Sequence, residues 1–323
     1  MKSIRPSEEL RLLSKVSKMY YEAGLTQDEI VERMQLSRSK VSRLLRQARE
    51  EGIVKITVIS PPGIFSDLEV HLESLYKLKE VVVVESQQPD DQAVVSRELG
   101  IAAATYLQRV INEDEVLGVS WGSTLSCMVD AMRPEPLPGV HIVQIIGGIG
   151  RPESEVHATD LCRRMARLMD CRLTLLPAPG IVDNKQVKDV YLSDSHVQSA
   201  LKLFSKLTMA VVGIGSPAPD SVLMKDGSVI TWKEMDQLKQ NGAIGDIALH
   251  FFDQYGQLVH SEIDQRVIGI SLDQLNRVKR VIGVAGGPQK VDILRGALLG
   301  HLVNVLITDN LTAERLLDRN VRF

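Results

Sequence analysis

The sequence predicts an α/β protein, an N-terminal helix-turn-helix domain followed by a Rossmann-like domain on a mainly parallel sheet. Three observations carry this. The first sixty residues read as three helices with a basic outer face. Ser60-Pro61-Pro62-Gly63 then breaks the pattern, because neither a strand nor a helix continues through it. Beyond it, short β-branched runs alternate with helical stretches, the signature of a parallel sheet covered on both faces. The domains are therefore placed at 1–60 and 61–323.

Length and composition agree. A chain of 323 residues suits roughly two domains of about 150 residues each. With 44% apolar and 24% charged residues, a disordered or collagen-like chain is excluded. No run approaches the ~20 apolar residues of a spanning helix, and Met1–Glu9 lacks the apolar core of a signal peptide. The expected location is the cytoplasm, with no membrane partner. Cys127, Cys162 and Cys171 have neither zinc nor disulfide-framework spacing, and are expected as reduced, mostly buried thiols.

The first helix runs from about Ser7 to Ala23, with Leu10, Leu13, Val16 and Tyr20 on one face and Gly24 as its stop. Thr26-Gln27-Asp28-Glu29 is a capping box, in which hydroxyl and carboxylate each satisfy a free backbone N–H. It opens a short helix burying Ile30, Val31 and Met34. Ser37 then caps a third helix that reaches Glu51 and closes at Gly52. Val41, Leu44, Leu45 and Ala48 form its apolar stripe. Ser39, Arg43 and Arg46 fall on the opposite face, flanked by Lys40 and Ser42.

Charge sharpens the reading. Residues 1–60 hold 12 Lys/Arg against 8 Asp/Glu, whereas the remainder holds 26 against 33. A basic segment on an acidic body points to a polyanion bound by the segment alone. The expected partner is double-stranded operator DNA. Ser39, Lys40, Ser42 and Arg43 would lie toward base edges in the major groove and Arg46 and Arg49 against phosphates, with Ser37 and Arg38, at the helix start, completing the DNA-binding set. Ile53–Ile59 reads as a strand, a wing beside the helices. A solvated basic helix face is the alternative; the capped turn, the amphipathic third helix and the basic face occurring together weigh against it.

In the large domain a helix at 66–77 carries Leu68, Leu72 and Leu75, either for dimerisation or for packing on its own domain. Strands are expected at 80–85, 116–120, 141–146, 173–176, 209–212, 281–284 and 303–307. Helices are expected at 92–110, 153–169, 195–206 and 288–299. Ligands of such sheets bind at the carboxyl ends of the strands, where strand order reverses.

Five strand ends are polar or glycine-rich. Gly118–Leu125 ends a strand at a helix start bearing Ser123 and Thr124, an anion cradle or an ordinary N-cap. It lacks the Gly-Lys-Ser/Thr of a phosphate-binding loop. Ile146-Gly147-Gly148-Ile149-Gly150 lacks the third glycine of a dinucleotide turn, so no nicotinamide cofactor is implied. Val212–Pro217 is a third such turn. Gly242–Ile247 carries Asp246, a hydrogen-bond acceptor for sugar hydroxyls or simply a satisfied turn residue. Val284–Lys290 places Lys290 at a helix start, where a cation opposes the dipole and suits a phosphate. His157 and His250 are the nearest histidines. No metal-ligand pair and no Ser-His-Asp set is present, so no cofactor, metal or catalytic residue is expected.

Leu25–Ile30, Leu36–Leu45 and Gly52–Ile56, followed by Ser120–Leu125, Gly213-Ile214-Gly215, Gly242–Asp246 and Gly283–Gly287, resemble the SorC family of sugar-responsive bacterial transcriptional regulators. The resemblance spans essentially the whole chain. It implies a large domain with the sugar-phosphate-isomerase fold, used for sensing. It further implies a sugar or polyol phosphate effector, its phosphate held at Gly122, Ser123, Thr124 and Lys290. Asp246 would take sugar hydroxyls, with the backbone around Ile247 beside it and further contacts from Gly148 and His157. Family members that grip a second phosphate carry an arginine where this chain has Ile146, which argues against a bisphosphate. Tetramers are typical. The competing class is a sugar-phosphate isomerase or hydrolase with a DNA-binding appendage, using Asp246 as base and Lys290 as clamp. Catalysis has no need of the helix-turn-helix.

Overall fold

The computed structural model describes residues 7–148, 158–217, 223 and 230–318. The chain divides into two compact units, Met1–Ile59 and Ser60–Phe323.

The first unit is three helices: α1 (Ser7–Ser17), α2 (Gln27–Met34) and α3 (Arg38–Glu50). Leu13, Val16, Ile30, Val41, Leu44, Leu45 and Ala48 make its core. The Thr26–Glu29 capping box is formed, and the Ser37 hydroxyl accepts the Lys40 N–H to start α3. Three expectations are corrected. The first helix is not uniform to Ala23, because it widens into a π-helical turn over Lys18–Glu22. Leu10 lies off the buried stripe and is exposed. Residues 53–59 form no strand: Val54 N–H returns to the Ala48 carbonyl and no ladder follows, leaving Val58 82% and Ile59 84% exposed. The β-branched run supplies propensity, but a strand also needs a partner edge within its unit.

The second unit is built on seven parallel strands: β1 (Glu80–Val84), β2 (Val116–Val119), β3 (His141–Gln144), β4 (Arg172–Thr174), β5 (Met209–Gly213), β8 (Arg280–Val284) and β9 (Val305–Asp309). Their spatial order is β1-β9-β8-β5-β2-β3-β4. A separate antiparallel hairpin, β6 (Gly245–Ile247) and β7 (His250–Phe252), intervenes in sequence. Each of the seven expected runs supplies one sheet strand. Alternation along them assigns side chains to two cores: in β5, Met209 and Val211 face one layer, Ala210 and Val212 the other.

Helices cover both faces. On one lie α5 (Gln92–Val110), α6 (Ser123–Ala131) and α7 (Ala158–Leu168). On the other lie α4 (Ser66–Tyr76), α9 (Ser195–Leu201), α10 (Trp232–Gln240), α12 (Val291–Leu299) and α13 (Asn310–Leu317); α8 (Lys185–Ser193) and the single turn α11 (Leu272–Leu275) complete the set. The helix at 66–77 packs on its own domain: Leu72 and Tyr76 are buried against β1 and α13, whereas Leu75 is exposed. The expected helix at 195–206 tightens into a 3₁₀ turn after Leu201. Of the cysteines only Cys162 is fully buried; Cys127 and Cys171 are half-buried, and none is paired. No described helix is long and apolar enough to cross a membrane.

The chain runs from β2 outward through β3 to β4, then returns to the far side of β2 and continues through β5, β8 and β9. Direction therefore reverses between β2 and β5, and a crevice opens at their carboxyl ends.

Candidate effector pocket and DNA-reading face

At that crevice lies a cavity of about 220 Å³. Its wall includes Gly122, Ser123 and Thr124 after β2, Gly213–Ser216 after β5, Ala285, Gly286 and Lys290 after β8, and Asp246 and Ala248 from the hairpin.

Gly122 is the N-cap of α6 and no side chain caps the helix, which settles the N-cap alternative for Ser123 and Thr124: both stand inside the first turn. The first free carbonyl is taken only by Ser126 N–H, on Gly122 at 2.9 Å. The amides of Ser123, Thr124 and Leu125 thus have no intrahelical acceptor and converge on the cavity with the positive end of the helix dipole. Thr124 Oγ1 bonds Ser96 Oγ at 3.3 Å, and Gln92 Nε2 donates to Ser96 Oγ and to the Gly286 carbonyl. The cradle is thereby tied to α5 and to the turn after β8.

Asp246 is no turn residue. It sits in β6, 5% exposed, bridged to Gly215 by two backbone hydrogen bonds. A side chain at Gly215 would overlap the Asp246 carboxylate, which is why this strand end needs glycine. Burial pushes the Asp246 carboxyl up to about 6, against the opposing pull of the Lys290 ammonium and the Leu249 N–H. The loop after it, Ala248 and Leu249, holds two non-glycine residues at φ 51° and 65°. Such a two-residue turn favours Asn-Gly, and each left-handed L-residue costs roughly 1–2 kcal/mol. Leu249 N–H reaches Asp246 Oδ2 at 3.3 Å, so the strained turn positions the carboxylate. Lys290 Nζ donates to the Ile214 carbonyl at 2.9 Å, crossing the mouth between the turns after β8 and β5.

The cavity therefore gathers Gly122, Ser123, Thr124, Asp246 and Lys290. It does not gather Ile247, whose side chain points into the apolar core on the strand alternation, nor Gly148, which is pinned to Ala178 and Gly180 beyond β3. His157 lies outside the described residues. His250 is a satisfied core histidine, with Nε2 2.8 Å from the Ile270 carbonyl and burial lowering its pKa. Sequence reasoning missed Gln92, Ser96, Ser120 and Ala248, which also line the cavity. Gln92 and Ser96 are spaced i, i+4 on α5 beside the Asp91 cap, the one signal that could have pointed to them.

No group of three His, Cys, Asp or Glu able to hold a metal occurs among the described residues. In the first unit, Arg38, Ser39, Lys40, Ser42, Arg43 and Arg46 are all exposed on α3, with Ser39, Arg43 and Arg46 opposite its buried stripe and Lys40 and Ser42 flanking them. Arg38 pairs loosely with Asp28 at 3.6 Å and Arg46 with Glu50 at 3.7 Å. Such exposed pairs are worth little and yield readily to a phosphate. Ser37 serves as the cap.

A helix-turn-helix unit joined to a ligand-sized pocket at an α/β switch point defines a ligand-responsive DNA-binding regulator. Residues 61–318 match the family described as "Putative sugar-binding domain", and residues 15–51 match region 4 of sigma-70. The deoxyribonucleoside regulator of Bacillus subtilis (strain 168) is 33% identical over 314 residues, covering 96% of this chain and 98% of that one. The sorbitol operon regulator of Klebsiella pneumoniae is 31% identical over 319 residues, covering 96% and 99%. The crystal structure of full-length SorC from Klebsiella pneumoniae superposes with a TM-score of 0.74 at 30% identity, over 97% of this chain and 100% of that one. The chain belongs to the SorC family of sugar-binding transcriptional regulators. It is a regulator and not an enzyme, so the isomerase or hydrolase alternative is set aside.

Proposed function

We propose that this regulator controls a carbohydrate or polyol operon from the cytoplasm, as a homotetramer, and that its effector is a sugar or polyol monophosphate. The observation that carries the reading is the meeting of an uncapped helix N-terminus, a lysine and a buried carboxylate in one cavity. The amides and hydroxyls of Ser123 and Thr124, the Gly122 turn and Lys290 would hold the phosphate. Asp246 would accept from sugar hydroxyls. Ile247 would contribute backbone only. Ile146 is fully buried and apolar, which supports a single phosphate. In the first unit, Ser39, Lys40, Ser42 and Arg43 would read operator bases, and Arg38 and Arg46 would touch the backbone, with Ser37 holding the helix start.

The two relatives are named for deoxyribonucleosides and for sorbitol, which frames the experiment. Thermal shifts are measured against pentose, hexose and polyol phosphates alongside their unphosphorylated parents. A ligand at about 100 times its Kd stabilises the native state by ~2.7 kcal/mol, a shift of a few degrees. A shift with a phosphate but not its parent is the expected outcome. A shift with a free sugar alone withdraws the phosphate roles of Ser123, Thr124 and Lys290.

A further inference from the structure

The turn that presents Lys290 shares a carboxylate with another helix. Asp309, at the end of β9, is 1% exposed and has no ion-pair partner among the described residues. Its Oδ2 accepts from Gly287 N–H at 2.7 Å and from the Thr312 hydroxyl at 2.7 Å, and its Oδ1 accepts from Thr312 N–H at 2.9 Å. The Thr312 hydroxyl oxygen is also 3.0 Å from Gly287 N. A β-carbon at Gly286 would overlap Asp309, and Gly287 sits at φ 99°, so the turn is shaped around this one group. Lys290 N–H in turn bonds the Gly287 carbonyl. A buried carboxylate that loses a donor bears the full desolvation penalty. The Gly286–Lys290 turn and the first turn of α13 are therefore held in one arrangement.

The far end of α13 is fastened as firmly. Tyr76, 7% exposed on α4, donates its hydroxyl to the Leu316 carbonyl at 2.9 Å. Buried Arg295 of α12 donates to the Arg315 carbonyl at 2.7 Å. The eight residues of α13 make a helix about 12 Å long, anchored near both ends. Helix α4 opens at Ser66, six residues into the second unit, and so is the first element after the DNA-reading unit in the chain.

We propose that Asp309 is a positioning residue for Lys290 and that α13 is the strut carrying a change at the pocket to α4. This rests on the phosphate-site reading above. A plain helix cap would require only the Thr312 contacts; the Gly287 bond on the same oxygen joins the cap to the pocket.

The test is amide hydrogen exchange on the full-length protein. The probes are the best phosphate from the thermal-shift panel and, separately, inorganic phosphate. Wild type should gain protection at 287–290, 310–317 and 66–76 together. Asp309→Asn retains a good capping side chain, so α13 should persist. It should weaken phosphate binding about ten-fold and lose the protection of 66–76. Thr312→Ser should behave as wild type. Tyr76→Phe should bind phosphate within two-fold of wild type and keep protection at 310–317, but lose it at 66–76. Protection in wild type at 287–290 with none at 66–76 overturns the strut and leaves the pocket standing. Undiminished protection of 66–76 in Tyr76→Phe does the same. No protection at 287–290 with either probe removes the phosphate site, and the strut with it.

Discussion

Asp246 shows how one residue can tie stability to pH. An ordinary aspartate titrates near 3.8, and burial raises this one to about 6. The folded state therefore holds a proton that the unfolded chain has released between those values. Stability from this group is fully present below about pH 4, falls as pH rises to about 6, and stays lower above it. The loss is roughly 2–3 kcal/mol at neutral pH in the ligand-free protein. Asp246→Asn removes the slope. Its denaturant midpoint should exceed that of wild type at pH 7 and converge toward it at pH 4, while sugar-phosphate binding is lost. A wild-type midpoint that rises from pH 4 to 6 relative to the variant contradicts this account of the carboxylate. Gly215→Ala probes the same group sterically. An added β-carbon overlaps the buried carboxylate, which must leave its place, so a destabilisation of roughly 1–3 kcal/mol and weakened ligand binding are expected in parallel denaturation and titration experiments.

At the scale of elements, the roles proposed for α3 and α6 are separable by mutation. Arg43 is exposed opposite the buried Val41–Leu44–Leu45–Ala48 stripe and makes no ion pair among the described residues. Arg43→Ala should cost operator binding ~1–3 kcal/mol and relax base choice at one position, whereas Arg46→Ala should flatten the logarithmic salt dependence by about one. Both are read by titrating labelled operator at several salt concentrations; equal salt slopes in Arg46→Ala and wild type would move Arg46 off the phosphates. In α6, Ser123→Ala with Thr124→Ala should weaken effector response and leave basal DNA affinity as it was. These elements were legible because their determinants are local. A cap, a stripe and a basic face lie within α3, and a strand end with two hydroxyls lies within Ser120–Leu125. Asp246 and Lys290 were legible as candidates on strand-end turns, but what surrounds them was not, for the converse reason. The burial of Asp246 and its bridge to Gly215 arise only when a hairpin 31 residues further on folds back, and Asp309 is drawn in only when β9 is set beside β8. The failed wing at 53–59 makes the same point: β-branched residues state a preference, and pairing decides.

At the scale of the molecule, the two units have separate cores and should unfold separately. The first unit closes on seven fully buried apolar side chains within about sixty residues, which places it near the lower limit for a domain that folds alone. The second has two apolar layers around a seven-stranded sheet. Calorimetry should therefore give two transitions, the smaller one at lower temperature. The proposed effector pocket is walled by residues of the second unit, so an effector bound there, without DNA, should move the larger transition alone, by the few degrees that ~2.7 kcal/mol supplies at about 100 times Kd. Operator should move the smaller transition. With both ligands present the shifts should depart from additivity by the coupling energy, typically ~1–3 kcal/mol, and by the same amount whichever ligand is added first, since linkage is reciprocal. A single transition that both ligands move equally would show the units to be one cooperative body. Additive shifts would mean that effector and operator ignore each other, which a ligand-controlled regulator does not permit.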